Sequence, residues 1–270
     1  MEDLRQTAEW ANFLTAAGWQ IEPIKAIGGK RFNVFIRKFP LVAFIKLQRF
    51  DKTLGFNDLK RLKRKYHALY TIIEPANDLA QKGIAEAGYR INKAPYLPTK
   101  TRVIDLSKSE KDLISEMSEN FRRILNTKKE LRIKKISADE FYEGWKKWAP
   151  AYIFGKGQFM KIVSAFGEKC EFWAAEHNGR LLSAIMMLYT ADSGFYFQTW
   201  TSKEGREKSP HVFLVWETIK RAKKMGKKFY NFEGVQDERF PLKNWGGFSE
   251  FKRRFGGYEI EYPGSFTKWF

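Results

Sequence analysis

Apolar positions in the second half of the chain recur with clear periods. Leu113, Ile114, Met117, Phe121 and Ile124 are spaced by three or four residues, which predicts a helix, and Ser107-x-x-Glu110 ahead of them is a capping box that opens it. A second box, Ser137-x-x-Glu140, opens a helix carrying Phe141, Trp145 and Trp148, whose spacing marks the two tryptophans as core residues. The runs CEFWAAEH and RLLSAIMMLY flank Asn178-Gly179, a strong hairpin signal, and Asp192-Ser193-Gly194 leads into GFYFQTW, so a three-stranded antiparallel meander is expected. Ser209-Pro210 reads as the start of a helix with Phe213, Trp216, Ile219 and Ala222 on its apolar face and Gly226 at its end. The short strand KFYNF (228–232) follows, and after a loop comes GFSEFKRRFGG.

The first half repeats this plan more loosely. A helix over 4–17 ends at Gly18, and WQIEPIKAI, FNVFIRK and LVAFIKL read as strands separated at Gly28-Gly29 and Pro40. A basic helix follows Phe56, HALYTII is a strand, and Asn77 caps a helix expected to end at Gly88. Helix, meander, helix, strand thus occurs twice. A meander feeding a strand–helix–strand crossover is the pattern of an acyl-CoA N-acyltransferase (GNAT-like) domain. The fold class expected is therefore α/β (α+β), with two tandem GNAT-like domains of mixed, mostly antiparallel sheets flanked by helices. Two prolines in Pro95-Tyr96-Leu97-Pro98 interrupt both periodicities and place the boundary between domains 1–97 and 98–270.

Composition narrows the choice of partner. The 270 residues carry 49 Lys+Arg against 31 Asp+Glu, a net charge of +18, divided as +9 before and +9 after residue 100. The excess concentrates in 60–65, 122–135, 220–228 and 252–254, and with 16% aromatic residues it suits phosphate backbones with unstacked bases, or an anionic membrane surface. One cysteine, Cys170, excludes an internal disulfide and any zinc cluster built on cysteine, and three scattered histidines do not favour a His-rich metal site. Cys170 itself reads as packing and His177 as a surface residue beside the hairpin turn. The acidic, amphipathic start of the chain has no signal-peptide pattern, and the longest apolar run, Ala184 to Tyr189, is far short of the ~20 residues that cross a bilayer. A cytoplasmic protein is expected, with peripheral contact at the inner face of the membrane.

Conventional enzyme motifs are missing: the chain has no Gly-Lys-Ser/Thr loop, no GxGxxG after a strand, no GxSxG and no HExxH. Thr201 to His211, where a coenzyme A site would need a glycine-rich turn, has a single glycine. Three pieces, 98–123 (PTKTRVIDLSKSEKDLISEMSENFRR), 214–234 (LVWETIKRAKKMGKKFYNFEG) and 247–257 (GFSEFKRRFGG), resemble the Fem family (FemABX), with weaker similarity in EWANFLTAAGW. The resemblance implies two GNAT-like domains and no metal or coenzyme A cofactor. It implies a peptidyltransferase that takes an amino acid from aminoacyl-tRNA, its co-substrate, to an amine of a peptidoglycan precursor.

By that resemblance the Phe-Lys pair of the family's last motif matches Phe251-Lys252, so Lys252 is the expected catalytic residue, stabilising the oxyanion and the leaving ribose oxygen. Phe251 would pack near the terminal adenosine, or serve with Phe255 as a core pair. Arg253 and Arg254 are assigned to tRNA phosphate, since guanidinium binds it bidentately. Tyr196 matches a substrate-contacting tyrosine of some members and is otherwise a lining aromatic; Glu233 either orients the amine or is structural. A characterised type of member holds a nucleotide diphosphate with a lysine four residues after the early tryptophan and with an Arg-x-x-x-Tyr set. Here Leu14 takes the first place, and 153–159 offers Phe154 and Gln158; Asn231 stands where aspartate is common. The precursor is thus open between UDP-linked and lipid-linked forms. Two rival functions stay in view: an N-acyltransferase using acyl-CoA or acyl carrier protein, and a non-catalytic RNA-binding protein.

Overall fold

The computed structural model describes residues 1–127, 130–149, 154–241 and 245–269. Lys128 and Lys129 of the second basic run, and Ile153, lie outside the described residues. In chain order the elements are α1 (Ala8–Ala16), β1 (Gln20–Lys25), β2 (Arg31–Lys38), β3 (Ala43–Phe50), α2 (Asn57–Tyr66), β4 (Ala68–Pro75), α3 (Asp78–Gln81), β5 (Arg90–Asn92) and β6 (Lys100–Asp105). They continue with α4 (Glu110–Ser115), α5 (Glu119–Asn126), β7 (Arg132–Lys135), α6 (Ala138–Trp148), α7 (Lys156–Phe166), β8 (Cys170–His177), β9 (Arg180–Tyr189) and β10 (Ser193–Thr201). The last are α8 (Lys203–Lys208), α9 (Pro210–Lys224), β11 (Phe229–Gly234), α10 (Gly246–Arg253), β12 (Tyr258–Glu261) and β13 (Ser265–Trp269).

The chain forms two compact units. One comprises Asp3–Lys100 with Gln236–Leu242 and Ile260–Phe270, and holds a six-stranded sheet in the order β1-β2-β3-β4-β13-β5. The other comprises Met1–Glu2, Thr101–Val235 and Lys243–Glu259, and carries a seven-stranded sheet in the order β12-β6-β11-β10-β9-β8-β7. Both sheets have the expected plan. Three antiparallel strands, β1-β2-β3 or β8-β9-β10, lead through helix to a strand parallel to the third, β4 or β11. Each sheet has its own apolar core: Val34, Ile45, Leu47, Leu62 and Ile73 in the first, and Met187, Tyr189, Leu214, Ile219 and Phe232 in the second.

Several local readings change. Ser107 is not the cap of its helix: its N–H donates to Asp105, and Ser109 caps α4 by accepting from the Asp112 N–H. The apolar period from Leu113 to Ile124 covers two short helices, because Ser118 caps a new one. The Ser137–Glu140 box forms as expected, with both reciprocal bonds. Asn77 caps only the four residues of α3. The first helix starts at Ala8, after a 3-10 turn at Leu4–Gln6.

One difference between the two sheets matters for function. In the first, the parallel neighbours β3 and β4 pair from Ala43↔Ala68 to Phe50↔Pro75, and the ladder resumes after each of its two register shifts, at Ala43/Phe44 and Gln48/Phe50. In the second, β10 and β11 pair only at Ser193↔Phe229, Gly194↔Tyr230 and Phe195↔Asn231. Beyond them β10 has a bulge between Tyr196 and Gln198, and β11 one between Asn231 and Gly234. Bulges turn strands aside, so the two strands part at their carboxyl ends, the place where α/β sheets commonly bind ligands.

Candidate active site

A cleft of about 1000 Å³ opens where β10 and β11 part, entirely within the second unit. Its walls come from Tyr196 to Thr201 of β10, Glu233 of β11, the starts of α8 and α9, the end of α6, and α10. That last helix carries the Phe251-Lys252 pair. Phe251 and Phe255, one turn apart, pack with Phe121 at ring distances of 5.4 and 4.8 Å and so fix the helix on the core. The glycines after it set its exit: a Cβ on Gly257 would lie 2.2 Å from the Val103 carbonyl oxygen, so the terminal Gly256-Gly257 pair serves backbone approach.

Anchoring of that face leaves Lys252, the next residue in the helix, directed inward and only 7% exposed. Its Nζ donates to the Gly234 carbonyl oxygen at 2.6 Å and lies 5.0 Å from the Phe248 ring centroid and 5.7 Å from that of Tyr196. Burial penalises the ammonium and pushes the Lys252 amine down to about 7, with the Glu233 carboxylate pulling weakly the other way. The acceptor carbonyl is aimed by a strained turn, since Glu233 takes a left-handed φ of 59°. Asn231 Oδ1 accepts from the Glu233 N–H at 2.7 Å and also from Thr101 Oγ, which holds that turn in place.

A second polar chain enters from β9 and α9. Ser183 Oγ donates to the Trp200 carbonyl at 2.9 Å, which uses its only proton. Facing His211 Nδ1 at 2.5 Å, it must therefore accept, so Nδ1 carries the imidazole proton. His211 Nε2 then accepts from the Tyr196 hydroxyl at 2.6 Å. Desolvation pushes His211 down to about 4 and Tyr196 well up. Both are neutral near pH 7, so this chain orients the Tyr196 hydroxyl, whereas Lys252 is the group poised to change charge.

The structure brings Lys252, Phe251, Tyr196, Glu233 and Arg254 to one cleft. Arg254 is exposed on its wall and bonds Glu250 at 3.2 Å. Arg253 is not on the wall; its Nε donates to Glu259 at 2.7 Å. Trp148, expected in the core, lines the cleft, while Trp145 is buried as expected and reaches the same wall. His211, Ser183 and Arg206 were not singled out by the sequence; the signal was Ser209-Pro210, which places residue 211 at a helix start beside the crossover. The single glycine of that stretch, Gly205, is a packing residue, because a Cβ there would sit 2.3 Å from the Leu182 carbonyl oxygen. Among the described residues no group of three His, Cys, Asp or Glu is arranged to hold a metal ion.

Two mixed sheets with a cleft at a parted parallel seam define a protein of tandem GNAT-like fold. Solved structures agree in fold: FemX superposes with a TM-score of 0.82 at 14% identity, covering 99% of this chain and 92% of that one. The C-terminal domain of a putative lysylphosphatidylglycerol synthetase from Agrobacterium fabrum (0.60, 11%, covering 97% and 87%) and a tandem GNAT protein of clavulanic acid biosynthesis (0.56, 12%, covering 90% and 80%) share it too. Residues 155–269, which supply most of the cleft, match the FemAB family, in keeping with the resemblance carried by the motifs. A curated relative, the lipid II:glycine glycyltransferase of Staphylococcus haemolyticus (strain JCSC1435), is 25% identical over 111 residues. That stretch is 41% of this chain and 26% of the relative, so the match spans about a quarter of the relative's length.

Proposed function

We propose that this chain is an aminoacyltransferase that moves an amino acid from the 3′ end of aminoacyl-tRNA to an amine of a peptidoglycan precursor, as in interpeptide bridge formation. The observation that carries the reading is Lys252, an amine buried in the cleft and held on the Gly234 carbonyl, with its proton affinity lowered to near neutrality. The acceptor amine attacks the ester carbonyl, a C–N bond forms, and the oxyanion is stabilised by the Lys252 ammonium. Collapse breaks the bond to the ribose oxygen, which takes a proton from Lys252. The proton lost by the new amide nitrogen restores the ammonium, so the amine must both give and accept protons, and a group poised near pH 7 does this best.

Tyr196, oriented by His211, positions the acceptor. Arg254 on the wall offers a guanidinium to phosphate. The glycyltransferase relative and its lipid II substrate support a lipid-linked precursor. The packing role of Gly205 supports aminoacyl-tRNA over coenzyme A as the donor. Incubation with a pool of charged tRNAs and UDP-linked or lipid-linked precursors, read by mass spectrometry, should give a precursor heavier by one amino acid residue. No transfer from any charged tRNA, together with tight calorimetric binding of coenzyme A, would overturn the reading.

A further inference from the structure

The six-stranded sheet has an end whose side chains the cleft does not use. There β2 and β3 are joined by Phe39-Pro40-Leu41-Val42, closed by a bond from the Phe39 N–H to the Val42 carbonyl at 2.8 Å. Turns of this kind favour polar residues and glycine, yet Leu41 is 88% exposed and Phe39 56%. The same end receives the start of β4, through the pairing Ala43↔Ala68, and the end of β13, through Trp269↔Tyr70. It therefore also carries exposed Leu69 and Trp269, the latter 70% exposed with its ring 4.4 Å from that of Tyr70. Large apolar side chains scattered singly on a surface are ordinary; several on one end of one sheet mark an interaction site.

Cations flank this apolar end. Helix α2 ends there, since the Ala43 N–H donates to the His67 carbonyl and Lys38 Nζ lies 4.9 Å from the Tyr66 ring. Lys63, Arg64 and Lys65 are its last turn, and Lys38 is exposed at the end of β2. Glu22 is the acid that faces this group, bonded to Lys65 and Tyr66. An apolar tip with an interfacial tryptophan and a basic collar is complementary to one surface above others, a bilayer with anionic headgroups. A nucleic acid would use the cations and could stack on Phe39 or Trp269, but Leu41, Val42 and Leu69 offer no face to a base.

We infer that this end of the sheet docks on anionic membranes, with Leu41 and Phe39 entering the acyl boundary and Lys38, Lys63 and Arg64 meeting lipid phosphates. The inference stands apart from the proposed reaction, because the residues replaced in its test are not among those that line the cleft and the test reads no transfer. The full chain should co-sediment with vesicles of phosphatidylcholine containing about a third phosphatidylglycerol, and much less with phosphatidylcholine alone. Replacing Phe39 and Leu41 together by serine should lower partitioning at least tenfold, and each of Lys38→Gln and Arg64→Gln about fivefold. All these positions are solvent-facing, and an unchanged far-ultraviolet circular dichroism spectrum would establish that the variants fold. Failure to bind anionic vesicles, or binding that ignores the serine pair, overturns the inference. So does a serine pair that weakens tRNA binding or dissociates a dimer while leaving vesicle binding intact.

Discussion

Replacing Lys252 by methionine should make the protein more stable and nearly inactive at once. In the fold the amine is pushed from its usual 10.5 down to about 7, which corresponds to about 4 kcal/mol of unfavourable burial at pH 7. Methionine fills the same space between Phe248 and Tyr196 with an unbranched apolar chain. It forfeits the bond to the Gly234 carbonyl and leaves that oxygen without its donor, a loss of about 2 kcal/mol in all. The net gain expected at pH 7 is therefore about 2 kcal/mol. Its pH dependence is the sharper test. Between pH 7 and 10.5 the unfolded chain holds a proton that the folded wild type has released, so wild-type stability rises with pH through that window while the variant lacks this gain. The advantage of methionine should shrink as pH rises and reverse by about pH 10. Guanidinium denaturation followed by tryptophan fluorescence at pH 7 and pH 10 measures both values. In parallel, kcat for transfer should drop about 100- to 1000-fold, as for loss of a donor to an oxyanion. A variant less stable than wild type at pH 7, or with the same difference at both pH values, would refute the burial argument; full activity would refute the catalytic role.

Other perturbations address neighbouring groups. Tyr196→Phe keeps the ring but leaves His211 Nε2 without its donor, and kcat should fall about ten- to a hundredfold through loss of positioning, read by single-turnover transfer. Glu233→Gly relieves the left-handed φ of 59° and should leave stability equal or raised by about 0.5 kcal/mol after the entropy of glycine is counted. Without that carboxylate the Lys252 amine should lose its proton at lower pH, which moves the alkaline limb of the rate profile down. His211, pushed from 6.5 to about 4 by burial, takes up a proton in the unfolded chain before it does so in the fold. Stability should consequently fall as pH drops from 6.5 to 4, by up to about 3 kcal/mol from this group. The difference between wild type and His211→Gln, measured by denaturation across that range, isolates it.

Elements with a strong local period were legible from residue types alone: the meander of β8, β9 and β10, the helix after Ser209-Pro210, and the Ser137 capping box. What escaped depended on distant partners. β7 is a basic strand, Arg-Ile-Lys-Lys, with Ile133 alone to set against the core; its lysines bond Glu176 and Glu171 on β8, a pairing no local pattern announces. β13 enters the first sheet between β4 and β5, across more than 170 residues of chain from either. In the site, Arg253 and Arg254 look alike in sequence. One residue of helix turns them about 100° apart, and Glu259 takes the first while the second faces the cleft. Lys252 was singled out by its motif, but its burial and lowered basicity depend on Phe251 and Phe255 anchoring α10 and on the Gly234 carbonyl that its amine meets. His211 had no motif at all; only the crossing of β9, β10 and α9 makes it a partner of Tyr196.

The two parallel seams also divide the ways in which this chain can change. Along β3 and β4 the ladder runs from one end to the other, stepping past only Leu69 and Arg49, so substitutions at its paired positions should be felt as loss of fold and purged as such. Along β10 and β11 the ladder stops after three pairs, and what lies beyond it is held by bulges, a strained turn and a buried amine. Variation on that seam should alter rate and substrate choice before it alters folding. A repeated architecture with one seam zipped and one open can thus drift in specificity at one place while the other bears the constraint of remaining folded.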